Sequence, residues 1–370
     1  MKLEDIDQNF KSASVNGKDV CYYSAHSAPV AVEGFPWRKA GDLTFRRLPE
    51  NITAENSNQG VMWLVRHTTG GAFRFRTDSG YIAIRAKLVD SYDMNHMPRS
   101  GSSGFDLYTG TGRNALFAGS AMPNPGEVDF ERMIYISPWG GKKQKIRDFT
   151  INMPLYGGCA EVEIGLEPGA KLLPPKPHKY KDPILFYGHS ITQGGCVSRP
   201  GNSAPTRLCR AVNAEQVNLG FSGSGRGEIA IANEIAKVPL TVFVMDYDSN
   251  APSPEHLEAT HEPFFKAIRA AQPDLPVIFL SDTMPWSLFP GCQRREIMIR
   301  RRDIIRRTYE NALAAGDKCV YFFDGNDLFG PVGKRTGTVD FDHPTDLGFD
   351  EIYRNLLPLL KKVLKTHYGK

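Results

Sequence analysis

A chain of 370 residues, 41% hydrophobic and 23% charged, exceeds the usual reach of one hydrophobic core, so two domains are expected. Its longest apolar runs, 240–245 and 277–280, are far too short to span a bilayer, which argues against a helical membrane protein. A formal charge of +4 is mild for this length and assigns no polyanionic partner.

The chain opens Met1-Lys-Leu-Glu-Asp, with acidic residues where the apolar core of a signal peptide would follow. A cytoplasmic location is therefore expected, with a periplasmic or secreted one as the alternative if a leader was removed. The six cysteines (Cys21, Cys159, Cys196, Cys209, Cys292, Cys319) are scattered without a C-x-x-C spacing. That points to free thiols rather than a disulfide framework or a zinc site.

From 1 to 174 the sequence is rich in Gly, Thr, Ser and aromatics. Runs at 73–77, 81–88 and 160–166 alternate apolar and polar residues, the period that gives a strand one apolar face. Turn clusters such as 99–104 and 123–126 separate them, and no helix is expected. The pattern predicts an antiparallel, jelly-roll-like all-β sandwich. The Pro- and Lys-rich segment 175–182 reads as a stiff linker, because proline fixes φ.

After 183 the rhythm changes. Short β-rich runs at 184–187, 216–219, 240–245, 277–280 and 319–323 alternate with helical patterns at 203–212, 228–237, 254–271, 294–315 and 347–366. Five alternations predict, for 183–370, an α/β domain of three layers, a flavodoxin-like parallel sheet covered on both faces. The stretch 294–307 holds seven arginines. Interleaved isoleucines, with Glu296, Asp303 and Glu310, make it an amphipathic helix with a solvated face rather than a nucleic-acid patch.

In such a sheet, chemistry gathers in the loops at the carboxyl ends of the strands. The loop after the first strand, 186–194, sets Ser190 on a glycine-flanked strand-to-helix turn. There its hydroxyl is either held up at the sheet edge or caps a helix. The loop after the second strand, 218–227, is dense in glycine but lacks both a P-loop lysine and the dinucleotide spacing. It can offer a backbone N–H to an oxyanion. After the third strand comes Asn250, a carboxamide that can donate into the same space or form a turn. The last loop places Asp340 three residues before His343, close enough for a carboxylate to hold the imidazole.

Four such loops in this order resemble the SGNH (GDSL-like) esterase and acylhydrolase family over 182–366. Gly188-His189-Ser190-Ile191-Thr192-Gln193-Gly194 is similar to its first block, Gly223 to its second, Asn250 to its third. Asp340-x-x-His343-Pro344 is similar to its last, the most specific of the four. Gly104-Phe105-Asp106-Leu107-Tyr108 resembles the signature of a β-sandwich module that precedes the catalytic domain in one branch. Two departures stand out. His189 occupies a position that is often aspartate or a small residue, and the third block lacks the usual glycine and following aspartate.

The resemblance implies a serine esterase that needs no metal or organic cofactor. Ser190 attacks an ester carbonyl, His343 moves the proton, and Asp340, rather than Asp342, orients the ring. The N–H groups of Ser190 and Gly223 and the Asn250 amide form the oxyanion hole. The substrate it suggests is a short acyl ester, most often acetyl, on a small molecule or glycan. No Met- or Leu-rich loop near the motifs offers a lipid channel. An acyltransferase, a longer-chain lipase and a catalytically dead glycan-binding protein remain alternatives. Trp286 is expected to line the pocket, and His189 to shape the pocket or tune local charge. Trp37, Trp63, Tyr108 and Trp139 either wall the site or serve the sandwich core. Oligomeric state is not legible.

Overall fold

The computed structural model describes residues 12–39, 41–91, 93–138, 144–283 and 285–369. The amino-terminal half consists of antiparallel strands: β1 Ser12–Val15, β2 Lys18–Ser24, β3 Ala31–Glu33, β4 Ala72–Thr77, β5 Tyr81–Leu88, β6 Phe105–Thr109, β7 Leu116–Ala121, β8 Asp129–Ile136, β9 Arg147–Asn152, β10 Cys159–Leu166 and β11 Leu172–Leu173. They form one sheet ordered β1-β2-β10-β5-β8 and a second ordered β11-β4-β9-β6-β7, with β3 also on β4. Between them lies a core that includes Phe73, Phe75, Ile82, Ile84, Phe105, Leu107, Phe149, Ile151 and Ile164. These are the inward members of the alternating runs. The half is not purely strand and turn, however. Two short helices, α1 Gln59–Leu64 and α2 Arg99–Ser102, interrupt it where no helix was expected. α1 starts at Asn58, whose side chain accepts the Val61 N–H, an ordinary N-cap that a short polar stretch conceals.

The carboxyl-terminal half is a parallel sheet of β12 Ile184–Gly188, β13 Gln216–Gly220, β14 Val242–Asp246, β15 Val277–Leu280 and β16 Val320–Phe323. Its order, β13-β12-β14-β15-β16, is the flavodoxin-like one. The helices that cover it are α3 Ser190–Gln193, α4 Ala204–Val212, α5 Ile229–Ile235, α6 Pro254–Ala271, α7 Gln293–Ala314, α8 Pro331–Thr336 and α9 Asp346–Tyr368. β12 and β13 are buried at every position; β12 accordingly reads as a continuous apolar run, while β13 buries the polar Gln216 and Asn218 among its apolar residues. Among the described residues, no helix is long and apolar enough to cross a membrane.

The arginine-rich stretch lies on α7. Arg294, Arg295, Arg300, Arg302, Arg306 and Arg307 pair with Asp342, Glu296, Glu255, Asp303, Asp324 and Glu258. Arg301 donates to the carbonyls of Asp248 and Ala251. Its charge is thus spent on ion pairs, two within α7 (Arg295–Glu296 and Arg302–Asp303) and the rest with neighbouring elements. All six cysteines are free thiols.

The two halves share a core. Leu48, Ile52, Val61, Leu64 and Val65 pack with Val217, Leu219, Phe221 and Ile231 on one face of the parallel sheet. The segment expected to be a linker is held from both sides. The Lys176 carbonyl accepts from Arg74, the Lys179 N–H donates to the Asn213 carbonyl, and Tyr180 is buried.

Candidate active site

β12 runs directly into the turn that carries Ser190. A Cβ at Gly188 would lie 2.3 Å from the Asp246 carbonyl oxygen, so only glycine lets this turn lie so close to β14. The cap of α3 is His189, not Ser190: its Nδ1 accepts the Ile191 N–H at 3.2 Å. That leaves the Ser190 hydroxyl uncommitted to capping. Half-buried at the sheet edge, its Oγ lies 2.8 Å from His343 Nε2.

The His343 side of the site is a tight loop closed by a bridge between Thr338 and Pro344. His343 Nδ1 is 2.7 Å from Asp340 Oδ2, while Asp340 Oδ1 accepts the backbone N–H groups of Asp342 and His343. Phe341 between them has φ +73°, the left-handed region that strains a bulky side chain and sharpens the bend. Burial alone would raise the Asp340 pKa. The hydrogen bonds from the His343 backbone and ring and from the Asp342 N–H outweigh it and hold the carboxyl below its ordinary value.

A depressed folded pKa means that this carboxylate stabilises the fold above its unfolded pKa. The contribution is lost only as pH falls through the still lower folded value. Asp340 therefore stays ionised further into the acid range than an ordinary aspartate. We expect log kcat/KM to fall on the acid side with a slope of one. A slope of two over the same range would contradict this assignment. Asp342 does not reach the imidazole. Its carboxylate accepts from Trp286 Nε1 at 3.2 Å and from Arg294 Nη2 at 2.7 Å.

β13 and β14 flank β12, so their following loops flank Ser190. Gly223 has φ +66°, and a Cβ there would meet nothing within 4 Å; the backbone conformation, not crowding, demands glycine. Asn250 ends a 3-10 turn, Asp248–Asn250, just past β14. Its Nδ2 donates to the Phe221 carbonyl at 2.8 Å, which ties the third loop to the second and leaves one amide hydrogen to offer. The Ser190 N–H is the first amide of α3 and has no earlier carbonyl within the helix. These three donors belong to three adjacent strand ends.

Residues 181–361 match the GDSL-like lipase/acylhydrolase family, and residues 20–172 match the N-terminus of SGNH-hydrolase-type esterases. The chain thus carries a GDSL-like lipase/acylhydrolase domain behind an SGNH-esterase-type N-terminus. It is accordingly a carboxylic ester hydrolase. A GDSL-like lipase from Bacteroides ovatus superposes with a TM-score of 0.82 at 27% identity, over 94% of this chain and 98% of that one. A salicylyl-acyltransferase from a tetracycline biosynthetic pathway gives 0.76 at 18% identity, over 92% and 97%. An acetyl xylan esterase from Butyrivibrio proteoclasticus gives 0.56 at 14%, over 93% and 99%. At those last two identities the likeness is one of fold. No curated protein sequence matches the chain.

In this esterase the sandwich half braces the loops around Ser190, through residues whose roles the sequence motifs did not assign. Asp106, fully buried, accepts from Asn152 Nδ2, from Arg199 Nη1 and from the Gly201 N–H. Tyr108 accepts from Arg199 Nη1. The Gly104–Tyr108 signature thus grips the loop that follows the Ser190 turn. Gln193, also fully buried, accepts the Ser222 N–H beside Gly223 and donates to the Leu155 carbonyl. The ring of His96 lies 6.1 Å from that of His343, so the sandwich half reaches the base itself.

Arg47 is the deepest of these braces. Fully buried, it donates to the Asn218, Gly220 and Leu64 carbonyls and lies over the Phe221 ring. Burial lowers its pKa to about 9, which leaves it a cation at neutral pH. Arg47→Met should take the guanidinium donors from those carbonyls, of which Leu64 keeps the His67 N–H, and cost about 3–5 kcal/mol, read from the denaturant midpoint. A loss under about 1 kcal/mol would show that the carbonyls find other partners.

The expected pocket residues divide. Trp286 is half-buried, with its ring 4.5 Å from Phe341 in the base loop. His189 does not line the pocket: it is 2% exposed and its Nε2 faces Asp246 and Asp282. Of the sandwich-half aromatics, Tyr108 is buried against Arg199, Trp37 packs against the shared core and Trp63 is exposed. Trp139 lies outside the described residues.

Proposed function

We propose that this esterase hydrolyses short acyl esters, acetyl above all, on a carbohydrate, with Ser190 as nucleophile, His343 as general base and acid, and Asp340 as the orienting carboxylate. One observation carries the reading: the unbroken line from Asp340 Oδ2 to His343 Nδ1 at 2.7 Å and from His343 Nε2 to Ser190 Oγ at 2.8 Å. With its Nδ1 proton held by Asp340, the imidazole presents a lone pair at Nε2. It takes the serine proton as Oγ attacks, and returns it to the departing alcohol. Ser190 N–H, Gly223 N–H and Asn250 would hold the oxyanion of the tetrahedral intermediate. Water then attacks the acyl-serine by the same route in reverse.

The open rim supports a small acyl group and ready access of water, since the side chains of His343 and Asp340 are 27% and 39% exposed. Beside them Trp286, Phe289 and Phe341 form a partly exposed aromatic group, with centroids 4.5 and 5.3 Å apart along the chain of contacts. Flat faces of this kind suit the apolar side of a sugar ring. The acetyl xylan esterase with the same fold points in the same direction.

Two assays test the reading: p-nitrophenyl esters from acetyl to octanoyl, and acetate release from acetylated oligosaccharides. We expect kcat/KM to peak at acetyl and to fall about tenfold or more by octanoyl. A rise with chain length would mark a lipase. Acyl transfer to an added alcohol in preference to water would mark an acyltransferase.

A further inference from the structure

Beneath the Ser190 turn lies a group of charges that the reaction outlined above does not use. His189, at 2% exposure, points its Nε2 at Asp246 Oδ1, 3.3 Å away, and at Asp282 Oδ1, 3.7 Å away. Asp248 is the third carboxylate, fully buried, with a ligand atom within 4.8 Å of those of His189 and Asp246. The carboxylates are anchored in turn. Asp246 accepts from Thr192 Oγ1, Asp248 from the N–H groups of Ser249 and Asp282, and Asp282 from Ser249 Oγ and Thr283 Oγ1. Asp342 adds its field to Asp282 from the base loop.

A metal ion does not fit here, although the donor types suit one. Coordination through Nε2 would move the ring proton to Nδ1, where it would face the Ile191 N–H at 3.2 Å. The Ile191 bond instead keeps the Nδ1 lone pair free and puts the proton on Nε2, directed at the carboxylates. Burial pushes Asp248 up to about 7, helped by Asp282 and opposed by His189. Without the imidazole, three carboxylates would share one buried space.

We propose that His189 is a positioning residue: one imidazole fastens the Ser190 turn to the ends of β14 and β15 and so fixes the nucleophile against the Asp248–Asn250 turn. The inference rests on the roles given above to Ser190 and Asn250. Nδ1 holds α3 at its first turn, and Nε2–H holds the strand end from which the Asn250 turn departs. The spacing between hydroxyl and carboxamide therefore depends on a side chain that touches neither substrate nor base. It also accounts for a base rather than an acid at this position, since a fourth carboxylate would be repelled by the other three.

His189→Ala, His189→Asn, His189→Asp and His189→Asp/Asp282→Asn are compared with the unmodified enzyme on p-nitrophenyl acetate, with Ser190→Ala beside them. Labelling by a fluorophosphonate counts the folded, competent molecules in each preparation. We expect His189→Ala to lower kcat about a hundredfold per labelled site with KM within threefold. Asparagine, a good helix cap, should recover part of this and carries the comparison if the alanine variant does not fold. His189→Asp should be slower than His189→Ala, and Asp282→Asn in the same chain should relieve it. A kcat within threefold of the unmodified enzyme in His189→Ala or His189→Asn overturns the proposal. So does a His189→Asp defect that Asp282→Asn leaves untouched. Turnover surviving in Ser190→Ala would overturn the underlying reading instead.

Discussion

Ser190→Ala should lower kcat on p-nitrophenyl acetate by about 10⁴- to 10⁶-fold and leave the fold intact. The size follows from the loss of the attacking atom, since only positioning and oxyanion stabilisation then act on the ester. The intact fold follows from the environment: Ser190 is half-buried, and its hydroxyl meets His343 rather than capping α3, a task that His189 performs. The unfolding midpoint should therefore stay close to that of the unmodified enzyme, and fluorophosphonate should add no mass to the variant. Retention of more than about 1% of the rate, with contaminating esterase excluded by an independent preparation, would remove Ser190 from the reaction.

Asn250→Ala should lower kcat about a hundred- to a thousandfold, or about 2.7–4 kcal/mol of transition-state stabilisation, while KM changes little. The effect belongs in kcat because the carboxamide meets a full negative charge only once the carbonyl oxygen has become an oxyanion. Asn250 also donates to the Phe221 carbonyl, and that bond is lost with it. The carbonyl keeps the N–H groups of Ser224 and Gly225, so the cost to stability should be about 1 kcal/mol or less. An alanine variant that turns over at near-full rate would reduce Asn250 to a tie between two loops.

The periodicities marked all five parallel strands to within two residues; β12 and β15 stand out as unbroken buried apolar runs, whereas β13 carries polar Gln216 and Asn218 and β16 is only partly buried. Ser190, Asn250, Asp340 and His343 were legible for a related reason. They follow strand ends or precede the last helix, where an α/β sheet leaves side chains free of packing. Arg47, Gln193 and Asp106 were not. Arg47 stands in no motif, and although Gln193 and Asp106 stand in quoted ones, the role of each comes from partners 171, 29 and 95 residues away. The short helix α1 escaped because its cap and its two buried residues, Val61 and Leu64, lie in a stretch too brief to show a period.

What the sequence by itself determined is the architecture, the order of the catalytic loops and the residue types they carry. Those depend on local patterning and on chemistry that only a few side chains can perform. Only the tertiary structure decided what His189 does, what Asp342 binds in place of His343, and how closely the sandwich half is joined to the catalytic half. His189 sits beside the nucleophile in sequence yet turns away from it, because Asp246 and Asp282, delivered by the next two strands, surround its Nε2. Asp342 adjoins His343 along the chain and Asp340 stands three residues before it, yet it is Asp340 that meets the ring. The left-handed bend at Phe341 goes with one facing the imidazole and the other facing Trp286 and Arg294. The physical reason is the same in each case: a side chain's partners are set by which strand ends the sheet brings together, and that order is written in no single segment of the chain.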